Sequence, residues 1–262
     1  MPNPKNNNSQ DITELIEAGS DIAGSAVGAG IGYLISGPTG AIIGGVSGPA
    51  LKYTFLQLAS EIKTRMIGER EKIRIGATIA FAVEKIQENL ENGLTIRQDE
   101  FFEEKIGERS TADEILEGTL LAAQKEYQEK KLKFYGNLVA NIAFYNEIDR
   151  EQANFLIKLA ESISYRQICI LNIFVNKDNY NLKENDYTKA GEIGAKRVLL
   201  LQEIYDLDSY GILDCSNEAI LGPGQIKPAK MNIQGAGALL YNLMELWTIN
   251  AQEINPIVEL LK

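Results

Sequence analysis

Residues 22–51 read IAGSAVGAGIGYLISGPTGAIIGGVSGPAL, thirty consecutive positions without one charged side chain. Gly24, Gly28 and Gly32 recur every four residues before the break at Ser36-Gly37-Pro38-Thr39-Gly40, and Gly40, Gly44 and Gly48 repeat that spacing after it. Nine of the chain's 23 glycines lie in this stretch, and six of the nine share that single register. Small residues at this spacing clear one helix face, so that two backbones can approach closely. The pattern predicts two glycine-striped helical arms joined by a tight turn, the first arm stopped by Pro38. Glycine costs roughly 1 kcal/mol per helical position relative to alanine, so such arms depend on close packing, not on propensity.

Whether the arms enter a membrane or pack into a protein core decides the functional reading. The first arm, 22–35, would be about 21 Å long against a hydrocarbon core of about 30 Å. The second is better placed: 41–60 is interrupted only by Lys52, which can snorkel from near one end. The aliphatic side chains of the stretch sum to roughly -4 kcal/mol on an insertion scale, before penalties for glycine, serine and proline. This marginal value fits a segment stored in one form and inserted by an oligomer. It also fits a glycine-rich hairpin that stays packed in protein, and both readings remain open. In the first, Gly24, Gly28, Gly32, Pro38, Gly40, Gly44 and Gly48 are the helix-packing residues in the membrane. A phosphate-binding loop fails on residues: no G-K-[ST] ending is present, and Gly28-Ala29-Gly30-Ile31-Gly32-Tyr33 lacks the last glycine of a dinucleotide fingerprint.

The 262 residues carry 26 Lys+Arg against 36 Asp+Glu, a formal charge of -10 that argues against broad binding to duplex nucleic acid. No histidine is present, which excludes imidazole triads and histidine-bearing zinc sites. The two cysteines, Cys169 and Cys215, form no C-x-x-C pair, and MPNPKNNNSQ lacks the features of a secretory signal. A reducing cytoplasm is therefore the expected resting location, with the bacterial inner membrane as the destination of an active form. No nucleophile has a recognisable base and no S-x-x-K element occurs, so a non-enzyme without cofactor or metal is expected. Asp206 and Asp208 read as a solvated helix end in preference to a metal chelate. The run of Glu100, Glu103 and Glu104 reads as a solvated acidic face.

Outward from the glycine stretch the signals are helical. A polar tail leads to Asp11-x-x-Glu14, a capping box opening the first arm. Leu51, Phe55, Leu58, Ile62 and Met66 then continue one apolar face. A helix over 71–90 is expected to bury Ile73, Ala77, Phe81 and Ile86 and to end at Asn92-Gly93. A brief helix follows over 100–105. Thr111-x-x-Glu114 predicts the longest helix, running to Tyr145 with Leu116, Leu120, Ala123, Tyr127, Leu138 and Ile142 on one side and weakened by Gly118 and Gly136. Capping pairs Asp149/Gln152 and Ser164/Gln167 open helices over 151–161 and 165–176. The polar run 176–191 reads as the main linker or a long surface loop. Beyond it the pattern predicts a helix, a strand within 209–215, a breaker loop, a strand within 229–233 and a helix over 234–250.

The fold class is therefore mainly α: an N-terminal glycine-zipper helical hairpin, a multi-helix body with one long helix, and a small winged-helix-like C-terminal unit with two short strands. The expected domains are 1–67, 68–176 and 177–262. Basic residues supply a candidate ligand set. Lys130, Lys131 and Lys133 cluster on the expected long helix, Lys196 and Arg197 lie in the C-terminal unit, and Lys227 and Lys230 flank its breaker loop. Such a set, with Tyr205 or Tyr210 stacking on a base, would suit a nucleotide or short oligonucleotide; ordinary surface charge is the competing account.

The run GSAVGAGIGYLISGPTGAIIGGVSG resembles the glycine-zipper hairpins of bacterial pore-forming and cell-death proteins. Joined to a helical body and a small C-terminal unit, it is similar to the membrane effectors of antiphage abortive-infection systems. The likeness is carried by residues 22–51. It implies a homo-oligomer that disrupts the inner membrane when a signal, often a nucleotide made by a partner enzyme, changes. The alternative is a soluble helical interaction or regulatory protein whose C-terminal unit binds a protein or nucleic acid.

Overall fold

The computed structural model describes residues 68–262 apart from 190, 192, 216 and 217; the glycine-rich hairpin, the tail before it and the 51–66 stripe lie outside the described residues. The described chain is mainly helical, with eight α-helices and a single two-stranded antiparallel sheet. It falls into two compact units, the first ending at Glu161 and the second spanning Ser162–Lys262. The boundary read from sequence, 176/177, falls one helix later than this division.

In the first unit, α1 (Glu69–Glu91) packs against both α2 (Thr111–Lys125) and α3 (Leu132–Ile142). A helix enclosed on more than one side cannot keep a polar face, and residues 75–83 are buried without interruption. Of the stripe expected from Ile73, Ala77, Phe81 and Ile86, the last three are buried and Ile73 only partly, and the buried surface extends beyond them. Ile75, Ile79 and Val83 pack with Leu116, Leu120 and Ala140 in the same core. Asn92 closes the helix as expected, and Gly93 supplies the left-handed φ of 83°.

The long helix expected over 111–145 is two helices. The helix α2 stops at Lys125, a 3-10 turn follows over Glu129–Lys131, and α3 begins at Leu132. The break exists because Glu126, Lys131 and Tyr135 turn inward to meet one another, which a continuous helix could not allow. Tyr127, expected on the apolar side, falls in the break and is 80% exposed, and Tyr145, beyond the end of α3, is 49% exposed. The cap of α2 also lies one residue earlier than expected: Ser110 Oγ accepts from the Asp113 amide at 3.1 Å. The acidic 94–109 run forms a 3-10 turn, Glu100–Phe102, and an antiparallel bridge between Lys105 and Glu108 in place of the expected helix. The unit ends with α4 (Arg150–Ser162), whose reciprocal Asp149/Gln152 cap is present as expected, at 2.8 and 3.0 Å.

The second unit is built on α5 (Tyr165–Val175), opened by the Ser164/Gln167 capping box. Residues Gln167 to Phe174 are all buried, because α6 (Ala195–Ser209), α7 (Ala236–Leu243) and α8 (Ala251–Leu261) all contact this helix. The polar run after it is not a linker. Lys183 N donates to Leu261 O, Ala229 N to Lys183 O and Tyr187 N to Gly224 O, at 2.8–3.1 Å, while Leu182 and Tyr187 are buried. Backbone pairing, which polarity does not encode, binds this run into the unit.

The two expected strands are present in shortened form: β1 (Leu213–Asp214) pairs antiparallel with β2 (Asn232–Ile233), Leu213 opposite Ile233. The helix expected over 234–250 ends at Leu243. Glu245 takes φ 57°, and Asn172 Nδ2 donates to the Leu246 carbonyl at 2.6 Å, so the chain turns there and restarts as α8. Trp247, expected on the apolar face, is half-exposed and lies 5.7 Å from the Tyr241 ring.

Candidate functional site

The candidate basic residues belong to separate places. In the first unit Lys130 is exposed and Lys133 half-buried, whereas Lys131 is 2% exposed. The Lys131 ammonium lies 2.6 Å from Glu126 Oε2 and donates to the Glu161 carbonyl at 3.4 Å; the Tyr135 hydroxyl donates to the same carboxylate oxygen at 3.2 Å. Burial lowers the Lys131 pKa against the opposing pull of Glu126, and burial raises that of Tyr135. Lys131 therefore serves the interior of this unit, and the three lysines do not share one surface.

In the second unit Lys227 and Lys230 both grip the Glu218 carboxylate, Lys230 at 3.0 Å, and together hold its pKa below the usual range. These two cations are occupied by an internal partner. Lys196 and Arg197 sit in the first turn of α6, whereas Tyr205 and Tyr210 lie at its other end. Along the axis Tyr205 and Tyr210 lie about 12 and 20 Å from Arg197, so the expected set is spread along the helix and not gathered at one point. The first turn of α6 has different neighbours. Arg197 Nε donates to the Leu260 carbonyl at 2.8 Å, and its Cζ stands 5.8 Å from the Tyr187 ring centroid; the Lys183 ammonium stands 5.1 Å from the same centroid. Neither Lys183 nor Tyr187 was marked by the sequence, since both lie in an undifferentiated polar run.

The first unit also carries a cleft of about 520 Å³ over the loop before α2 and the start of α4. Asp99, Glu100, Glu103, Glu108, Asp149 and Glu151 line it, against Arg97, Lys105 and Arg150. Its inner wall is the Arg97 guanidinium, which lies 4.2 Å from the Phe101 centroid and donates to the carbonyls of Tyr145 and Ile148 at 3.0 and 2.8 Å. Asp99 closes the fork on the other side, and the Arg97 hydrogen bonds draw its pKa below the ordinary carboxylate value. The cations are thus satisfied internally, Lys105 by Glu100 at 2.7 Å, and the cleft's remaining charge is negative.

Both cysteines are buried, and burial raises the pKa of Cys215, the reverse of what an attacking thiolate needs. Asp206 accepts from Gln202 at 2.8 Å, while burial and the nearby Asp214 raise the pKa of Asp208. Among the described residues no three His, Cys, Asp or Glu side chains converge to hold a metal ion. Compared with known proteins, the chain matches no family model, no curated protein and no solved structure.

Proposed function

We propose that the chain is a non-enzymatic, conditionally activated effector that disrupts or forms a channel in the bacterial inner membrane as a homo-oligomer, in antiphage defence by cell death. One observation carries this reading: six glycines in a four-residue register across thirty uncharged positions, 22–51. Such spacing serves helix association where lipid removes the hydrophobic driving force. No helix among the described residues is long and apolar enough to cross a membrane, so in this reading insertion falls to 22–51. The remainder of the chain oligomerises and senses a nucleotide or oligonucleotide signal.

Dye-loaded liposomes test it. The purified full chain, alone or with nucleotide, releases dye, and the Gly28→Leu/Gly44→Leu variant does not, because a side chain at those positions separates the arms. In cells, overexpression depolarises the membrane and a version lacking 22–51 does not. Equal behaviour of the two versions overturns the reading.

A second reading is supported by the surface of α6, where Val198 and Leu199 are 47% and 59% exposed beside Lys196. Here the protein is an interaction or regulatory module whose winged-helix-like C-terminal unit binds a protein or nucleic acid, and growth is indifferent to its expression.

A further inference from the structure

The start of α6 has an electrostatic arrangement that no carboxylate pair among the described residues balances. A helix N-terminus carries the positive end of the macrodipole and unpaired amide groups, and it is normally offset by an acidic residue or a side-chain cap. In α6 the cap is Gly194, with no side chain to offer, the first turn holds no acidic residue, and Lys196 and Arg197 add two positive charges. Several other cations of this unit have a carboxylate: Arg166 forms a two-pronged pair with Glu203, and Lys227 and Lys230 share Glu218, while Lys177 is held by the Met231 carbonyl and the Asn232 amide oxygen. Lys183, Lys196 and Arg197 have no carboxylate partner among the described residues, in a protein of net charge -10.

An independent observation comes from Tyr187. It is 2% exposed, and its hydroxyl has no hydrogen-bond partner. A buried donor without an acceptor is costly, and the groups beside this ring, Arg197 and Lys183, are donors too. The neighbouring carboxylate, Asp186, is turned to its own loop, accepting from the Thr188 amide and hydroxyl at 3.1 and 2.7 Å. Arg197 is meanwhile fixed by its Nε bond to Leu260, which leaves Nη1 and Nη2 without a partner. A guanidinium held by one edge with the other edge open is preorganised for an oxyanion.

We propose that Lys183, Tyr187, Lys196, Arg197 and the first turn of α6 form a binding site for the phosphate group of a phosphorylated ligand. The Arg197 Nη atoms and the two ammonium groups neutralise the phosphate, the amides of the helix start point at it, and the Tyr187 hydroxyl gains its missing acceptor. This names the ligand-recognising site of the effector reading and rests on that reading only for its biological role; binding is measured without any membrane activity.

The test is calorimetric titration of the full chain with inorganic phosphate, with ADP, and with phosphatidylglycerol vesicles, at constant ionic strength set by chloride. Phosphate or ADP binds saturably. Arg197→Gln and Lys196→Glu weaken that binding by about tenfold or more, as loss of a charge-assisted contact does. Tyr187→Phe removes only an unpartnered oxygen, so it leaves the melting temperature of the free protein unchanged or higher while weakening the ligand severalfold. Binding confined to vesicles but lost in the same variants assigns the phosphate to a lipid headgroup. Absence of binding to all three probes, or binding that the three variants leave intact, overturns the proposal. Dye release without phosphate binding overturns this site while sparing the effector reading, and the converse result does the opposite.

Discussion

Gly136 of α3 lies so close to Phe81 of α1 that a Cβ at position 136 would stand 2.6 Å from the Phe81 Cβ and 2.9 Å from the Ala82 nitrogen and Thr78 carbonyl oxygen. Two of these three obstacles are backbone, so neither helix can yield by changing a rotamer. Gly136→Ala is therefore expected to destabilise the protein by about 1–3 kcal/mol, although alanine is the better helix former by about 1 kcal/mol. Gly118 is the control. A Cβ there meets only Ile157 Cδ1 at 4.0 Å, and Gly118→Ala should stabilise by about 0.5–1 kcal/mol. Urea unfolding of the two variants checks both signs.

Gly237 in α7 repeats the arrangement in the second unit. Its added Cβ would lie 2.5 Å from the Ile212 carbonyl oxygen, just before β1, and 2.9 Å from Ile233 Cγ1 in β2. Gly237→Ala should cost about 1–3 kcal/mol and speed amide exchange at Ile233.

Lys131 and Glu126 neutralise each other in the interior, with side chains 2% and 7% exposed. Lys131→Met leaves a buried carboxylate without its counter-charge and is expected to cost about 3–5 kcal/mol. The double variant Lys131→Met/Glu126→Gln removes both charges and should recover most of that loss. A double-mutant cycle on thermal or urea unfolding measures the coupling; additive losses would show that the pair does not act as a unit.

Arg97 gathers the carbonyls of Ile142, Tyr145, Asn146 and Ile148, so it holds the turn between α3 and α4. Arg97→Lys keeps the charge but loses the planar fork, and a loss of about 3 kcal/mol is expected. Asp99 adds a pH dependence. Its folded-state pKa is lowered by Arg97, so the stabilisation is present above the unfolded carboxylate value and is lost as pH falls through the folded one. The stability difference between the protein and Asp99→Asn should therefore shrink on acidification from pH 5 toward pH 2 (about the span of a depressed aspartate). A difference that grows on acidification would reverse the sign.

What could be read along the chain was local. The reciprocal caps at Asp149/Gln152 and Ser164/Gln167, and the stop at Asn92-Gly93, are interactions between residues within a few positions of one another, so spacing alone specifies them. Two strands were legible from their flanking breakers for the same reason. Helix interruption was not. Glu126, Lys131 and Tyr135 meet because the chain from Ala160 to Glu161 passes beside them, and Glu245 turns the chain where Asn172 holds Leu246. No window of neighbouring residues contains those partners.

The candidate ligand residues divide along the same line. The sequence counted cations but could not say which were already answered, since Lys131, Lys227 and Lys230 find their carboxylates only after folding. Lys183 and Tyr187 join Arg197 through the backbone pairing of a run that composition marks as loop. By itself the sequence determined the mainly helical class, most helix starts, the acidic balance and the absence of histidine, because each follows from residue type and short-range spacing. Only the tertiary structure decided where helices break, that Gly136 is an interhelical contact point, and that Lys183, Lys196 and Arg197 are among the cations of the second unit without a carboxylate partner among the described residues. Those outcomes depend on burial and on partners far apart in the chain, where the cost of an unpaired polar group selects among arrangements that local pattern leaves equal.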